Sequence, residues 1–148
     1  MAPGGRQDPY RQFRFRVEID GITQAGFHEV IFGDTSSDVV EYREGNELPH
    51  VRKESGPVRF GNLVLKWGIT DSMEMYNWRK LVEDSGAEAA KKNMSVILVD
   101  SKGMDKARWD IADAWPVRYG LWNDFDARGH SILLEWLEIT YEGFRRVK

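Results

Sequence analysis

The chain contains no cysteine. Disulfide staples, thiol nucleophiles and cysteine-ligated metals are therefore excluded, and packing has to supply the stability. Histidine is scarce: His28, His50 and His130 lie far apart and without metal-type spacing. No apolar run approaches the length of a membrane span, so no membrane insertion is expected. The opening Met1-Ala2-Pro3-Gly4-Gly5-Arg6-Gln7-Asp8-Pro9-Tyr10 lacks the apolar core of a signal peptide. It reads as a flexible arm over residues 1–10, on a protein assembled in the cytoplasm without an export signal. An excess of positive charge is missing too: 21 basic and 24 acidic residues give a net charge of −3, which argues against a general nucleic-acid binder.

Motifs for catalysis are equally absent. No glycine-rich phosphate loop precedes a helix and no Gly-x-Ser-x-Gly elbow occurs. Asp124 and Asp126 are the best available carboxylate pair, and loop solvation accounts for them. We expect no catalytic, cofactor-binding or metal-binding residues, and hence no enzyme. Asn93-Met94-Ser95 fits a glycosylation acceptor only by form.

What the chain does have is β-strand patterning in 148 residues, the size of one domain over 1–148, with six tryptophans to fill a core. Phe13 to Asp20 alternates apolar and charged residues without a fault, as a half-buried strand does. Asp20-Gly21 supplies hairpin-turn chemistry, which predicts a returning strand over Ile22 to Val30. Gly33 to Asp38 reads as a polar connection. Val39 to Glu44 reads as a strand, Gly45 to Gly56 as a long polar loop, and Val58 to Trp67 as the return strand.

That return strand changes parity at Gly61-Asn62. Val58 and Phe60 are apolar at even positions, while Leu63, Leu65 and Trp67 are apolar at odd ones. Either a bulge restores one face, or the strand leaves its own domain and joins a neighbour.

The spacing of Met75, Trp78, Leu81 and Val82 predicts a helix over 71–84, with Asp71 as its cap and Gly86 as its end. Ala87 to Lys92 could add a further turn. Met94 to Asp100, Trp109 to Tyr119 and Ile132 to Tyr141 read as later strands. Pro116 places the second of these at an edge or a break. Gly120 to Gly129 reads as a polar loop carrying an exposed Trp122; the other tryptophans read as core. The fold class is therefore mainly β, an antiparallel barrel or sandwich of six to seven strands with one packed α-helix.

Several stretches resemble one family along nearly the whole chain. They are Asp8-Pro9-Tyr10 through Gly21, Ala25-Gly26-Phe27, Val40-Glu41-Tyr42-Arg43-Glu44-Gly45-Asn46, and Gly61 to Ser72 leading into Trp78. Ala114-Trp115-Pro116-Val117-Arg118-Tyr119 and Leu137-Glu138-Ile139-Thr140-Tyr141-Glu142-Gly143 complete the series. Together they are similar to the tail tube proteins of contractile phages and of phage-tail-like contractile injection systems.

The resemblance implies a tail tube fold and hexameric rings that stack into a hollow tube inside a contractile sheath. It also implies baseplate, spike and terminator partners and a payload in the lumen. Residues 39–67 would be an extended hairpin for ring assembly. The subunit-interface and lumen candidates are Val39, Glu41, Tyr42, Arg43, Glu44, Gly45, Asn46, Arg59, Gly61, Asn62, Val64 and Lys66. The competing reading is a small monomeric β-barrel binding module that uses the Gly120–Gly129 loop.

Overall fold

The computed structural model describes residues 13–22, 27–43, 45 and 51–148. Seven strands form one connected antiparallel network, and two further strands pair only with each other. In chain order the strands are β1 (Arg14–Ile19), β2 (Glu29–Ile31), β3 (Thr35–Tyr42), β4 (Arg52–Phe60) and β5 (Leu63–Gly68). Two helices follow, α1 (Glu74–Ser85) and the single turn α2 (Ala87–Ala90). The chain closes with β6 (Lys92–Val99), β7 (Asp105–Phe125), β8 (Ser131–Thr140) and β9 (Gly143–Arg146).

The network divides into two layers that share β7. In the first, β6 lies between β1 and β7, and β9 takes the other edge of β7. In the second, β5 pairs with β2 and β8, and β8 pairs with the C-terminal half of β7. The changeover lies between Ala114 and Trp115. Two irregularities mark it: Asp113 at φ 53, opposite Asn93, and a register shift between Pro116 and Arg118. The break in alternation at Asp113 is therefore a bulge that bends β7 from one layer into the other. Pro116, which donates no hydrogen bond to a ladder, sits beside that bend.

Alternation explains the core. Val17 and Ile19 of β1, Met94 and Val96 of β6, and Leu63, Leu65 and Trp67 of β5 are all buried in one cluster, with Leu137 and Ile139 of β8. Burial of each large apolar side chain contributes about 1.5–3 kcal/mol. α1 closes this core with Met75 and Trp78, and the Trp78 indole N–H donates to the Ala90 carbonyl at 2.7 Å. Partly buried aromatics pack around this core: Phe15 meets Phe32, Phe27 meets the buried Trp67, and Phe60 meets the buried Tyr141.

Several expectations from sequence need correction. The Asp20-Gly21 turn forms, with Gly21 at φ 73 and Ile22 N–H donating to the Ile19 carbonyl, but it does not open a hairpin. β1 pairs with β6; of the predicted returning strand, 23–26 lie outside the described residues, and the short β2 pairs with β5 rather than β1. A turn is a local choice, whereas β6 is buried along most of its length and needs a neighbour on each edge. Thr35 to Asp38 is strand rather than connection, and the loop ends before Arg52 rather than at Gly56.

The helix starts at Glu74, with Met73 at its N-cap and no side-chain cap, so Asp71 does not cap it. Its N-terminus is instead organised by the Ser72 hydroxyl, which accepts from Glu74 N–H at 3.4 Å. The predicted end is correct: Gly86 N–H donates to the Val82 carbonyl. Finally, Gly120 to Gly129 is mostly strand. β7 runs to Phe125, and only a tight turn over 126–130 leads into β8.

Candidate assembly surfaces

β3 and β4 form a two-stranded ribbon standing apart from both layers. Opposite-charge pairing helps its register, with Glu41 facing Lys53 across the strands. Near the middle, Asp38 faces two residues, Gly56 and Pro57, so the register shift after Ser37 is a bulge on β4. Arg59 clamps this point, its guanidinium donating to both Asp38 carboxylate oxygens at 3.0–3.1 Å.

The clamp holds the Asp38 carboxyl below its ordinary value of 3.8. Because the folded-state value is depressed, the pair's contribution is present above pH 3.8 and is lost as pH falls through the lower folded-state value. Titration of the Asp38 carboxyl by NMR should show a midpoint below 3.8. Arg59→Ala should return that midpoint to the ordinary carboxylate range; an unchanged midpoint would show that the clamp is not formed in solution.

Almost every ribbon residue is exposed, on both faces. Val39 is 61% exposed and Val58 59%, and both lie on one face; Val40 is exposed on the other. A lone two-stranded ribbon with β-branched residues facing water is marginal by itself, so it calls for a partner.

The ribbon joins the body through a narrow neck. Gly61 N–H donates to the Asp34 carbonyl at 2.6 Å, and the Gly33 and Gly61 backbones touch. A Cβ at Gly61 would lie 2.7 Å from Asp34 Oδ1, and one at Gly33 would strike the Gly61 carbonyl group. The parity change at Gly61-Asn62 is thus neither bulge nor slip. It is the junction where β4 ends in the ribbon and β5 begins in the second layer.

The second surface is the outward face of the second layer, opposite the core. Register places Glu29, Val64, Lys66, Trp136, Glu138, Arg118 and Trp122 on it. Lys66 reaches Glu29 at 3.3 Å and lies 4.7 Å from the Trp122 ring centroid. Asn62 donates to Glu138 at 3.3 Å. Trp136 lies flat across Gly120, where a Cβ would meet its ring at 2.5 Å, and Arg118 stands 5.8 Å from that ring. Trp136 therefore belongs to this open face rather than the core, whereas Trp122 is exposed as expected. At the layer's margin Tyr119 donates to Glu135 at 2.6 Å; burial first, and the carboxylate second, push the phenol pKa up.

The structure separates the sequence candidates into two groups. Val39, Glu41, Tyr42 and Arg59 are on the ribbon, and Arg43 and Gly45 follow β3. Gly61 and Asn62 form the neck, and Val64 and Lys66 stand on the open face. Glu44 and Asn46 lie outside the described residues. Glu29, Arg118, Gly120, Trp136 and Glu138 were not singled out from sequence, although the alternation of 132–141 carried the signal for two of them. The binding-module reading loses its loop, because 120–125 is paired strand.

Residues 11–145 match the family model of the T4-like virus tail tube protein gp19. The chain belongs to that tail tube family. It is thus a structural protein of the inner tube, a component of a phage tail or tail-like particle. No helix among the described residues is long and apolar enough to cross a membrane.

Solved structures share the tail tube fold at low identity. A chain in the sheath/tube terminator of an extracellular contractile injection system, PVC, matches with TM-score 0.78 and 22% identity over 97% of this chain and 100% of that one. A chain in the PVC sheath–tube complex gives TM-score 0.76 and 22% identity, covering 95% and 93%. Hcp1 from Flavobacterium johnsoniae gives TM-score 0.55 and 16% identity, covering 90% and 94%. No curated protein sequence matches this tail tube chain significantly.

Proposed function

We propose that this tail tube protein forms hexameric rings that stack into a hollow tube. A contracting sheath drives the tube through a target envelope, and its bore carries payload. The observation that carries ring closure is the second layer, whose order is β2-β5-β8-β7 with every pair antiparallel. Among the described residues no strand pairs with the outer edge of β2 or with the outer edge of β7 beyond Pro116.

An even number of alternating strands leaves these two edges running in opposite directions. The β7 edge of one copy can then meet the β2 edge of the next as an antiparallel pair. Repeated around a ring, this head-to-tail contact closes on itself and removes the exposed edges. The open face, with Glu29, Val64, Lys66 and Glu138, lines the bore, and α1 faces away from it.

The whole chain acts as one domain. Residues 1–10, read from sequence as an arm, lie outside the described residues, and the 39–67 hairpin, as the ribbon and its neck, contacts neighbouring copies. Assembly takes place in the cytoplasm without catalysis. Sheath, baseplate and terminator partners are supported by the similar folds within the PVC sheath–tube and terminator structures and in the baseplate of the anti-feeding prophage.

Electron microscopy of the purified protein should show rings or tubes; a monomer at every concentration would sink the reading. Labelling tests the bore. In assembled tubes, a maleimide on a polymer too wide for the bore should label Lys80→Cys on α1 and spare Glu29→Cys, while both react once the tubes are dissociated. Equal labelling in intact tubes would place the open face outside.

A further inference from the structure

A single row of residues crosses the whole open face of the second layer. Register sets Glu29 of β2 beside Lys66 of β5, Lys66 beside Trp136 of β8, and Trp136 beside Gly120 of β7. The bulkiest side chain of the row is thus paired with its one glycine. Strand side chains ordinarily rise roughly perpendicular to their sheet. The Trp136 indole instead leans across to β7 and covers Gly120, where a Cβ would meet ring atoms Nε1, Cε2 and Cζ2 at 2.5–2.6 Å. Glycine inside a strand marks such a close approach, and an aromatic on the neighbouring strand covers the backbone it leaves bare.

The ring has little room to move sideways. Lys66 faces it from β5 and is itself held, 3.3 Å from Glu29 and 4.7 Å from the Trp122 ring centroid. On β7, Arg118 and Trp122 flank Gly120 on the same face, and the Arg118 guanidinium lies 5.8 Å from the Trp136 ring centroid. A side chain added at position 120 therefore drives the indole away from the sheet.

We propose that Gly120 is the seat that keeps Trp136 flat, and that this pair sets the clearance of the bore and so the width of payload that passes. The inference rests on the reading of the open face as the bore lining. Seat and ring lie on the two strands of the β7–β8 hairpin, which turns over 126–130, so each chain fixes their relation by itself. In a closed symmetric ring every copy turns the same row toward the axis. A raised indole then projects from all sides at one level, and its height counts on both sides of the bore.

Maleimides on linear polymers of graded width test this in open-ended tubes assembled from the full-length chain. With no native cysteine, Glu29→Cys supplies a single thiol, and it lies in the same row. The expected result is that Gly120→Val/Glu29→Cys tubes lose labelling by the wider polymers that still label Glu29→Cys tubes. Adding Trp136→Ala should restore it, because no indole is left to lift. An unchanged width limit, or a lowered one that Trp136→Ala does not restore, would overturn the seat.

If Gly120→Val prevents assembly, Trp136→Ala must bring the tubes back, since the valine then has room. Failure to do so overturns the seat as well. Labelling of Glu29→Cys by a polymer too wide for the bore would instead put the open face outside the tube. That result needs no change at Gly120; it removes the bore reading itself, and the seat falls with it.

Discussion

Trp78→Ala should cost about 3–5 kcal/mol in urea unfolding, the range for removing a buried aromatic from a core. Trp78 is 2% exposed and is the main side chain by which α1 closes the sandwich. Truncation opens a cavity that backbone elements on both sides hold apart. It also removes the donor to the Ala90 carbonyl, which sits at the end of α2. A buried carbonyl left without its partner adds to the loss. Trp122→Ala is the matched control: Trp122 is half exposed, and its removal should change stability by no more than about 0.5 kcal/mol. A loss below about 1 kcal/mol for Trp78→Ala would mean that α1 is not seated on the core in solution.

The second large effect is expected at the neck. Gly33→Ala places a methyl group into the Gly61 carbonyl, and backbone cannot swing aside as the tip of a long side chain can. Overpacking of this kind costs about 1–3 kcal/mol, and more where the obstacle is rigid. Relief comes most readily by displacing the ribbon, which few contacts tie to the body. Hydrogen exchange should therefore show lost protection over 35–42 and 52–60, with 94–99 still protected. Tube formation should fail while the monomer stays folded. Gly45→Ala, whose added methyl meets nothing among the described residues, should leave the protection of both segments unchanged. Uniform loss of protection across ribbon and body would show that the two unfold together and would remove the neck as a separate unit.

The sequence made the body legible where burial follows a simple period. β1, β5 and β8 alternate, α1 repeats at helical spacing, and the structure shows each of them. It failed where strands are formed without burial. Residues 52–57 read as a loop because charge and glycine dominate them, yet a ladder to β3 holds them extended. The same blindness hid Leu121 to Phe125, where Asn and Asp outweighed the pairing to β8. Partner choice was not legible either: a sound Asp20-Gly21 turn pointed to a hairpin, and the demand of β6 for neighbours prevailed. The parity fault at Gly61-Asn62 was visible from the start. Its meaning, a change of sheet, needed the third dimension.

β7 suits a particle that works by being thrust forward. This single strand of 21 residues spans both layers and carries the hairpin at its far end. A push received at the hairpin tip passes into the first layer along a continuous covalent backbone, with no intervening loop to buckle. The ladders to β6, β8 and β9 flank it and share the load along its length, so sliding the layers apart would require many hydrogen bonds to shear together. In mechanical terms β7 is the keel of the subunit.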